Sequence, residues 1–124
     1  MNSDLKLRLT PYKQLTKRQQ RKLHALIKKL VHYSVPSGNT YALHLDPIEN
    51  DEDDTAYTLS DGKHFDIYID DRMPHGMITD YLIHELAHVR SWAHYEHDNH
   101  GPVFGVCYAE LYRYYLELYE DLLC

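Results

Sequence analysis

The sequence predicts an α+β fold, in which a small sheet that contains an antiparallel pair packs against three helices. Two observations on patterning predict it: apolar residues recur at helical spacing in three segments, and they alternate with polar residues in the segments between the first two. The third observation is length, because 124 residues can bury one hydrophobic core but are too few for two. We therefore expect a single domain over residues 1–124, in the order helix, strand, hairpin, helix, loop, helix.

The first helix is expected to run from Thr16 to about Tyr33. Thr16 and Gln19 have the spacing of a capping box, in which two side chains satisfy backbone donors at the start of a helix. Apolar residues then recur every three or four positions and predict one buried face, made of Leu23, Leu26, Ile27, Leu30 and Val31.

Strands are expected in the next thirty residues. The segment TYALHLD, residues 40–46, alternates apolar and polar side chains and predicts one strand. The acidic segment PIENDEDD, residues 47–54, lacks the glycine and the ligand spacing of an EF-hand, so we interpret it as a solvated loop. The segment AYTLSDGKHFDIYID, residues 56–70, predicts a β-hairpin, because the tight-turn dipeptide Asp61-Gly62 separates two strand-like runs.

Two further helices are expected after Pro74. The first of them has a buried side made of Ile78, Leu82, Ile83, Leu86, Ala87 and Val89. The polar loop EHDNHG, residues 96–101, separates it from a last helix, for which Pro102 is well placed in the first turn. The expected core stripe of this last helix consists of Val103, Val106, Cys107, Leu111, Tyr114, Leu118 and Leu122.

Charge is distributed very unevenly along this chain, whose net charge is −6. Residues 1–45 carry nine lysines and arginines against Asp4 alone, whereas residues 46–124 carry four against eighteen acids. We interpret the basic side of the first helix as a solvated face, with nucleic-acid binding as the alternative, since clustered Lys and Arg supply phosphate contacts.

Cysteine content and hydropathy indicate the compartment. The chain has only two cysteines, Cys107 and Cys124, which is too few for a disulfide framework. It also lacks an apolar run as long as a membrane helix. These features favour a cytoplasmic protein without a membrane partner.

The segment HELAH, residues 84–88, has the HExxH pattern. Four residues advance a helix by about 400°, so His84 and His88 emerge on nearly the same side and can chelate one zinc ion. Glu85 lies beside the first histidine, where it can take a proton from water without binding the metal. The pattern therefore predicts two zinc ligands and a catalytic base.

Several residues compete for the place of the third ligand. They are His94, His97, Asp98, His100 and Glu110. His94 nearly fits the longer HExxHxxGxxH motif, but Ser91 replaces the glycine that must break the helix, and a continuing helix would carry His94 away from the metal. His100 is better placed, because it ends a polar loop that can fold back and because Gly101 and Pro102 begin a new helix directly after it.

HELAH, a short polar insertion and HGPVF together resemble the SprT-like zinc metallopeptidases, the group of HExxH zincins that includes Spartan. The order of elements is similar over most of the chain, and the specific motifs cover residues 84–104. The resemblance implies a zincin-like domain with one zinc ion per chain on His84, His88 and His100 and with Glu85 as catalytic base. It implies a protein or peptide substrate, and it raises DNA-associated proteins as a substrate class.

The expected reaction is hydrolysis of peptide bonds. Zinc would activate water and polarise the scissile carbonyl, while Glu85 accepts the water's proton and delivers it to the leaving amine. Candidate donors to the oxyanion are Arg90, Tyr95 and His97, on sequence proximity alone.

Two alternatives to this reading stay open. One is a HExxH regulatory peptidase in which Glu110 is the third ligand. The other is a non-catalytic module, in which zinc stabilises the fold and the first helix binds nucleic acid. The presence of Glu85 favours catalysis, since a structural site has no use for a base.

The strand HFDIYID, residues 64–70, is expected to hold the substrate. Peptidases of this architecture bind an extended substrate against an edge strand beside the metal. The acidic side chains of Asp66 and Asp70 are suited to an edge, where charges discourage unwanted pairing. An interior position for this strand is the alternative.

Overall fold

The computed structural model describes residues 10–49, 55–94 and 100–123 and confirms the α+β class. It contains three helices, α1 (Lys17–Ser34), α2 (His75–Arg90) and α3 (Pro102–Leu123), and three strands, β1 (Thr40–Leu45), β2 (Ala56–Ser60) and β3 (His64–Ile69). Short 3₁₀ turns lie at Tyr12–Gln14 and Trp92–His94. The loop expected at residues 47–54 is described only to residue 49.

Helix α1 begins as its sequence predicts. The Thr16 side chain accepts a hydrogen bond from the Gln19 amide, and the Gln19 side chain accepts one from the Thr16 amide, so both halves of the capping box form. The expected apolar face is buried, and Leu23 and Leu30 are fully enclosed. The cations of this helix lie on the opposite, solvent-facing side.

The sheet is mixed, in the strand order β1-β3-β2. β2 and β3 form the expected antiparallel hairpin around Asp61-Gly62, where Gly62 adopts a positive φ of 95° that favours glycine. β1 pairs with the other side of β3 in parallel, from Thr40 opposite His64 to Leu45 opposite Ile69. The expectation that HFDIYID is an edge strand is therefore wrong, and the edge on the hairpin side is β2.

The two acids that suggested an edge have other roles. Asp66 Oδ1 lies 3.0 Å from His44 Nε2 and 3.4 Å from His64 Nε2, so the carboxylate interacts with both imidazoles on the outer face of the sheet. Asp70 follows β3, is buried, and binds the guanidinium of Arg72. The inner residues of β3 are enclosed in the core, as an interior strand requires; they are Phe65, Ile67 and Ile69.

Helix α2 crosses the middle of the molecule, between the sheet and the other two helices. Its expected apolar side is buried throughout, at Ile78, Leu82, Ile83, Leu86, Ala87 and Val89. The helix ends at Arg90, where the Ser91 hydroxyl donates back to the Ala87 carbonyl. It does not continue to residue 94, so the assumption used above to exclude His94 is also wrong.

The expected core stripe of α3 is correct only in part, since Cys107 and Leu111 lie in the core as expected. Val103 and Val106 are exposed, and Tyr114 and Leu118 are only partly buried. The core face instead consists of Cys107, Leu111, Tyr115 and Tyr119, and the side chain of Leu122 lies outside the described part. Phe104 packs against the histidines of α2, and the four core residues follow it at successive turns of the helix.

Within the described ranges, no helix is both long enough and apolar enough to cross a membrane.

Candidate metal centre

His84 and His88 lie one turn apart on the exposed side of α2. Their Nε2 atoms are 3.1 Å apart, so the two rings converge at their tips. Both residues are half-buried, and the apolar side of the same helix anchors them to the core. The prediction that the HELAH spacing brings these two side chains together is therefore confirmed.

His100, two residues before the start of α3, joins this pair. Its ring centroid lies 5.4 Å from that of His84 and 4.7 Å from that of His88. Phe104, one turn later on α3, contacts all three imidazoles at centroid distances of 4.6 to 5.3 Å. The HGPVF segment thus brings the third histidine and the aromatic ring that supports it to one place.

The three histidines could hold a metal ion. One ring nitrogen from each lies within 4.8 Å of the others, and this is the group of possible metal ligands found among the described side chains. A tetrahedral zinc ion with bonds of about 2.0–2.1 Å keeps its ligand nitrogens roughly 3.3–3.4 Å apart. The His84–His88 pair is already near that value, and the exposed His100 ring has room to close the remaining gap.

The local environment also favours the neutral imidazole that a metal requires. Burial, and secondarily the charge of His100, lowers the pKa of His84 below its usual value. A neutral imidazole exposes a nitrogen lone pair to a cation, whereas a protonated one does not. The residues present therefore fit a zinc ion in both donor type and arrangement.

Glu85 lies beside the cluster and is held by the sheet. Its side chain is largely buried, with 7% of the residue exposed. The Thr58 hydroxyl on β2 donates to Glu85 Oε1 at 2.9 Å. Glu85 thus points from α2 toward the hairpin, and it is not a member of the metal-competent cluster.

A cleft of about 390 Å³ opens beside these residues. Asp80, Tyr81, His84 and Glu85 of α2 form one wall, Tyr108 of α3 forms another, and the start of the hairpin at Thr55 and Ala56 closes the third side. His84, the buried carboxylate of Glu85 and the start of β2 therefore line one open cavity, and His88 and His100 adjoin it through His84.

The rival ligands lie elsewhere or outside the described part. Glu110 accepts a hydrogen bond from Arg90 at 3.1 Å and is not in the metal-competent group. The backbone of His94 lies in the 3₁₀ turn, but its side chain is not described. His97 and Asp98 also fall in the undescribed segment.

Arg90 is directed away from the cleft, which argues against its expected role as oxyanion donor. Its guanidinium donates to the Tyr33 carbonyl and lies 4.4 Å from the centre of the Tyr33 ring. Tyr95, another expected donor, lies outside the described residues.

Four residues of the site were missed by the sequence analysis: Thr58, which donates to Glu85, and Asp80, Tyr81 and Tyr108, which line the cleft. Asp80 and Tyr81 precede His84 by four and three residues, so helical periodicity alone places them on its face. Tyr108 lies one turn after Phe104 in the same way. Thr58 has no signal in the sequence, since its contact with Glu85 depends on how the hairpin packs against α2.

No known protein-family model matches this chain, and neither a curated protein nor a solved structure matches it.

Proposed function

We propose that this protein is a zinc-dependent endopeptidase of the SprT-like, zincin type. One observation carries the proposal: three imidazoles converge beside a buried glutamate, and His84 and that glutamate line a cleft that an edge strand borders. A purely structural zinc site would require neither the glutamate nor the open cavity.

The residues have distinct roles in this proposal. His84, His88 and His100 hold the ion, which when bound supplies a Lewis acid for the scissile carbonyl and lowers the pKa of water toward 7. Glu85 accepts the proton of the attacking water and returns it to the leaving amine. Thr58 keeps the carboxylate in place, and the phenol-lined walls of the cleft restrict bulk water.

The edge of β2 is suited to bind an extended substrate. The Asp70 amide donates to the Thr55 carbonyl, and in an antiparallel pair such bonds alternate along the strand. The backbone groups of Ala56 and Thr58 then point away from β3, toward the free edge of the described sheet. A peptide that pairs with them would lie directly beside Glu85 and the histidines.

The test of this function is hydrolysis of an unfolded, casein-like protein by the zinc-loaded chain. Glu85→Gln should keep the fold and the zinc but lose at least about 1000-fold in kcat, because an amide cannot accept the proton. Glu117→Gln, an exposed acid of α3, serves as the matched control and should keep full activity. Hydrolysis by Glu85→Gln at the rate of the control would remove Glu85 from the mechanism.

The ligand set is tested by zinc content in single alanine variants of His94, His97, His100 and Glu110. We expect one zinc ion per chain and a marked loss of zinc only in His100→Ala. Loss of zinc in Glu110→Ala with full zinc in His100→Ala would favour the regulatory-peptidase alternative.

A second candidate function is nucleic-acid binding by the outer face of α1. Six cations line this helix without an acid among them, and none is paired with an acid in the described residues: Lys17, Arg18, Arg21, Lys22, Lys28 and Lys29. We infer that such a face would contact phosphates in a salt-dependent way. Titration of labelled single- and double-stranded DNA against wild type and a Lys28→Glu/Lys29→Glu double variant tests it, and equal affinities would exclude this face.

A further inference from the structure

The cleft beside the histidines carries its own charge pattern. Among the described residues that line it, only Glu85 and Asp80 carry a carboxylate, and none is a lysine or an arginine. Glu85 is bound by Thr58 and is assigned to the reaction. Asp80 therefore supplies the cleft with a negative charge that the proposed chemistry does not use.

We propose that Asp80 determines specificity, by selecting extended peptides with a lysine or arginine within about two residues of the cleaved bond. This inference rests on the proposed peptidase function and specifies its substrate class. The occupant is a cationic side chain of the substrate, seated at the Asp80 end of the cleft.

The position of Asp80 on α2 supports this role. Asp80, His84 and His88 recur every four residues, so one helix face presents the acid and then the two imidazoles. Four residues of helix span about 6 Å. Side chains on one face of an extended peptide recur every 6–7 Å or so, which places a side chain at Asp80 when the reacting bond lies at His84.

The neighbours of Asp80 suit the stem of a long cationic side chain. Tyr81 and Tyr108 line the same cavity, and both are only partly buried. Burial, and then the charge of Asp80, raises the pKa of Tyr108, so the field of the carboxylate reaches that phenol. Aromatic rings beside a carboxylate stabilise both the methylene stem and the charged head of lysine or arginine.

Charge also restricts where along the substrate the cation can lie. The histidine end of the cleft would carry the positive charge of the bound ion, which repels a second cation. The Asp80 end has the opposite sign. A lysine is thus favoured on one side of the cleaved bond and disfavoured on the other.

The first test uses the Glu85→Gln protein loaded with zinc, which should bind peptides without cleaving them. A set of fluorescent peptides places one Lys, Gln or Glu at each position within three residues of a fixed cleavage site. We expect the Lys peptide to bind roughly tenfold tighter than the Gln peptide at a single position, and the Glu peptide to bind more weakly than either. Equal affinities of the Lys, Gln and Glu peptides at every position would overturn the inference.

The second test assigns the preference to Asp80. In Asp80→Asn the advantage of Lys over Gln should fall to about twofold or less. Glu117→Gln changes the net charge by the same amount on the far side of α3 and should keep the full preference. If Glu117→Gln loses the preference as Asp80→Asn does, the effect is one of overall charge, and the assignment to Asp80 is wrong.

The outcomes separate this inference from the peptidase proposal. Charge-selective binding through Asp80 without hydrolysis by the wild-type protein would sink the peptidase proposal and keep a cation-selective peptide site. Hydrolysis with equal kcat/KM for Lys and Gln peptides would keep the peptidase and sink the role of Asp80.

Discussion

At the residue scale, the contact between Thr58 and Glu85 is the most informative detail of the site. The hydroxyl donates to a buried carboxylate across the gap between the hairpin and α2. A hydrogen bond to a charged group contributes about 1.5–3 kcal/mol. Thr58 is thus a positioning residue, which acts through Glu85 and not on the substrate.

Replacing Thr58 separates positioning from folding. Thr58→Val keeps the shape but removes the donor, and we expect kcat to fall about tenfold or more while zinc content and KM stay close to wild type. Thr58→Ser restores the hydroxyl and should recover most of the rate. Steady-state kinetics of both variants test this positioning role. A Thr58→Val protein with the wild-type kcat, or a Thr58→Ser protein as slow as Thr58→Val, would contradict it.

Asp70 provides a prediction on stability and pH. Hydrogen bonds from the Arg72 guanidinium, and also from the amides of Arg72 and Ile48, lower the pKa of Asp70 to about 2 from its ordinary 3.8. The folded pKa is the lower one, so Asp70 stabilises the fold above about pH 4 and loses that effect as the pH falls toward 2.

We expect Asp70→Asn to lower the free energy of unfolding by about 1–2 kcal/mol at pH 7, which allows for the half-exposed Arg72 side chain. The deficit should shrink steadily below pH 4. Urea unfolding at several pH values measures it, with the exposed Glu117→Gln as control. A deficit that stays constant down to pH 2 would show that packing, and not charge, explains the loss.

The two histidines of HELAH and the glutamate between them were predictable, because a fixed helical period determines which side chains share a face. His100 needed more than spacing, since it reaches the cluster through a loop and a new helix. Thr58 was not predictable, because its position depends on the sheet order.

At the element scale, strand order decides which backbone groups a substrate can reach. Pairing with β1 on one side and with β2 on the other places β3 in the interior, where its backbone groups are already bonded and a substrate cannot pair with them. The strand to test is β2.

Ala56→Pro removes one outward-facing amide from β2 without removing a bond to β3. We expect kcat/KM for an extended peptide to fall by about tenfold, the contribution of a single hydrogen bond, mostly through KM. Circular dichroism and zinc content should remain those of the wild type. Normal kcat/KM in a folded, zinc-loaded Ala56→Pro would show that this edge does not hold the substrate.

Helix α3 shows where periodicity is ambiguous. Tyrosine, leucine and valine are so frequent in its sequence that two helix faces, offset by one residue, are both apolar. In the structure Phe104 packs on the histidines, Tyr115 is buried and Val106 is exposed. Helix bounds were accurate because capping and proline signals are local, whereas the buried face depends on a tertiary contact.

At the scale of the whole molecule, the metal would connect parts of the chain that are separate in sequence. His84 and His88 belong to α2, and His100 lies in the loop two residues before α3. An ion bound by all three therefore stabilises the packing of these helices as well as the site.

Zinc should consequently raise the unfolding temperature. With free zinc at about a thousand times Kd, binding adds roughly 4 kcal/mol, or on the order of 15 °C for a domain of this size. Differential scanning fluorimetry of the apo and zinc-loaded forms measures the shift, which Glu85→Gln should retain and His100→Ala should largely lose. An equal shift in His100→Ala would mean that the ion binds without that histidine.

The fold class and the order of elements followed from the sequence, since both depend on local patterns and on length. The parallel pairing of β1 with β3 could not be predicted. The alternation of apolar and polar residues along a strand is the same whether its neighbour is parallel or antiparallel. The cleft itself lies where the start of β2 and Tyr108 of α3 approach α2, which are contacts between segments far apart in the sequence.

The central claim is tested most directly by adding zinc in steps to metal-free protein while hydrolysis of an unfolded protein is followed. The wild-type rate should rise linearly and reach a plateau at one zinc ion per chain, and Glu85→Gln should bind the same single ion yet show no rise. A wild-type protein that binds one ion per chain and cleaves nothing, or a Glu85→Gln protein that follows the wild-type curve, would contradict the account.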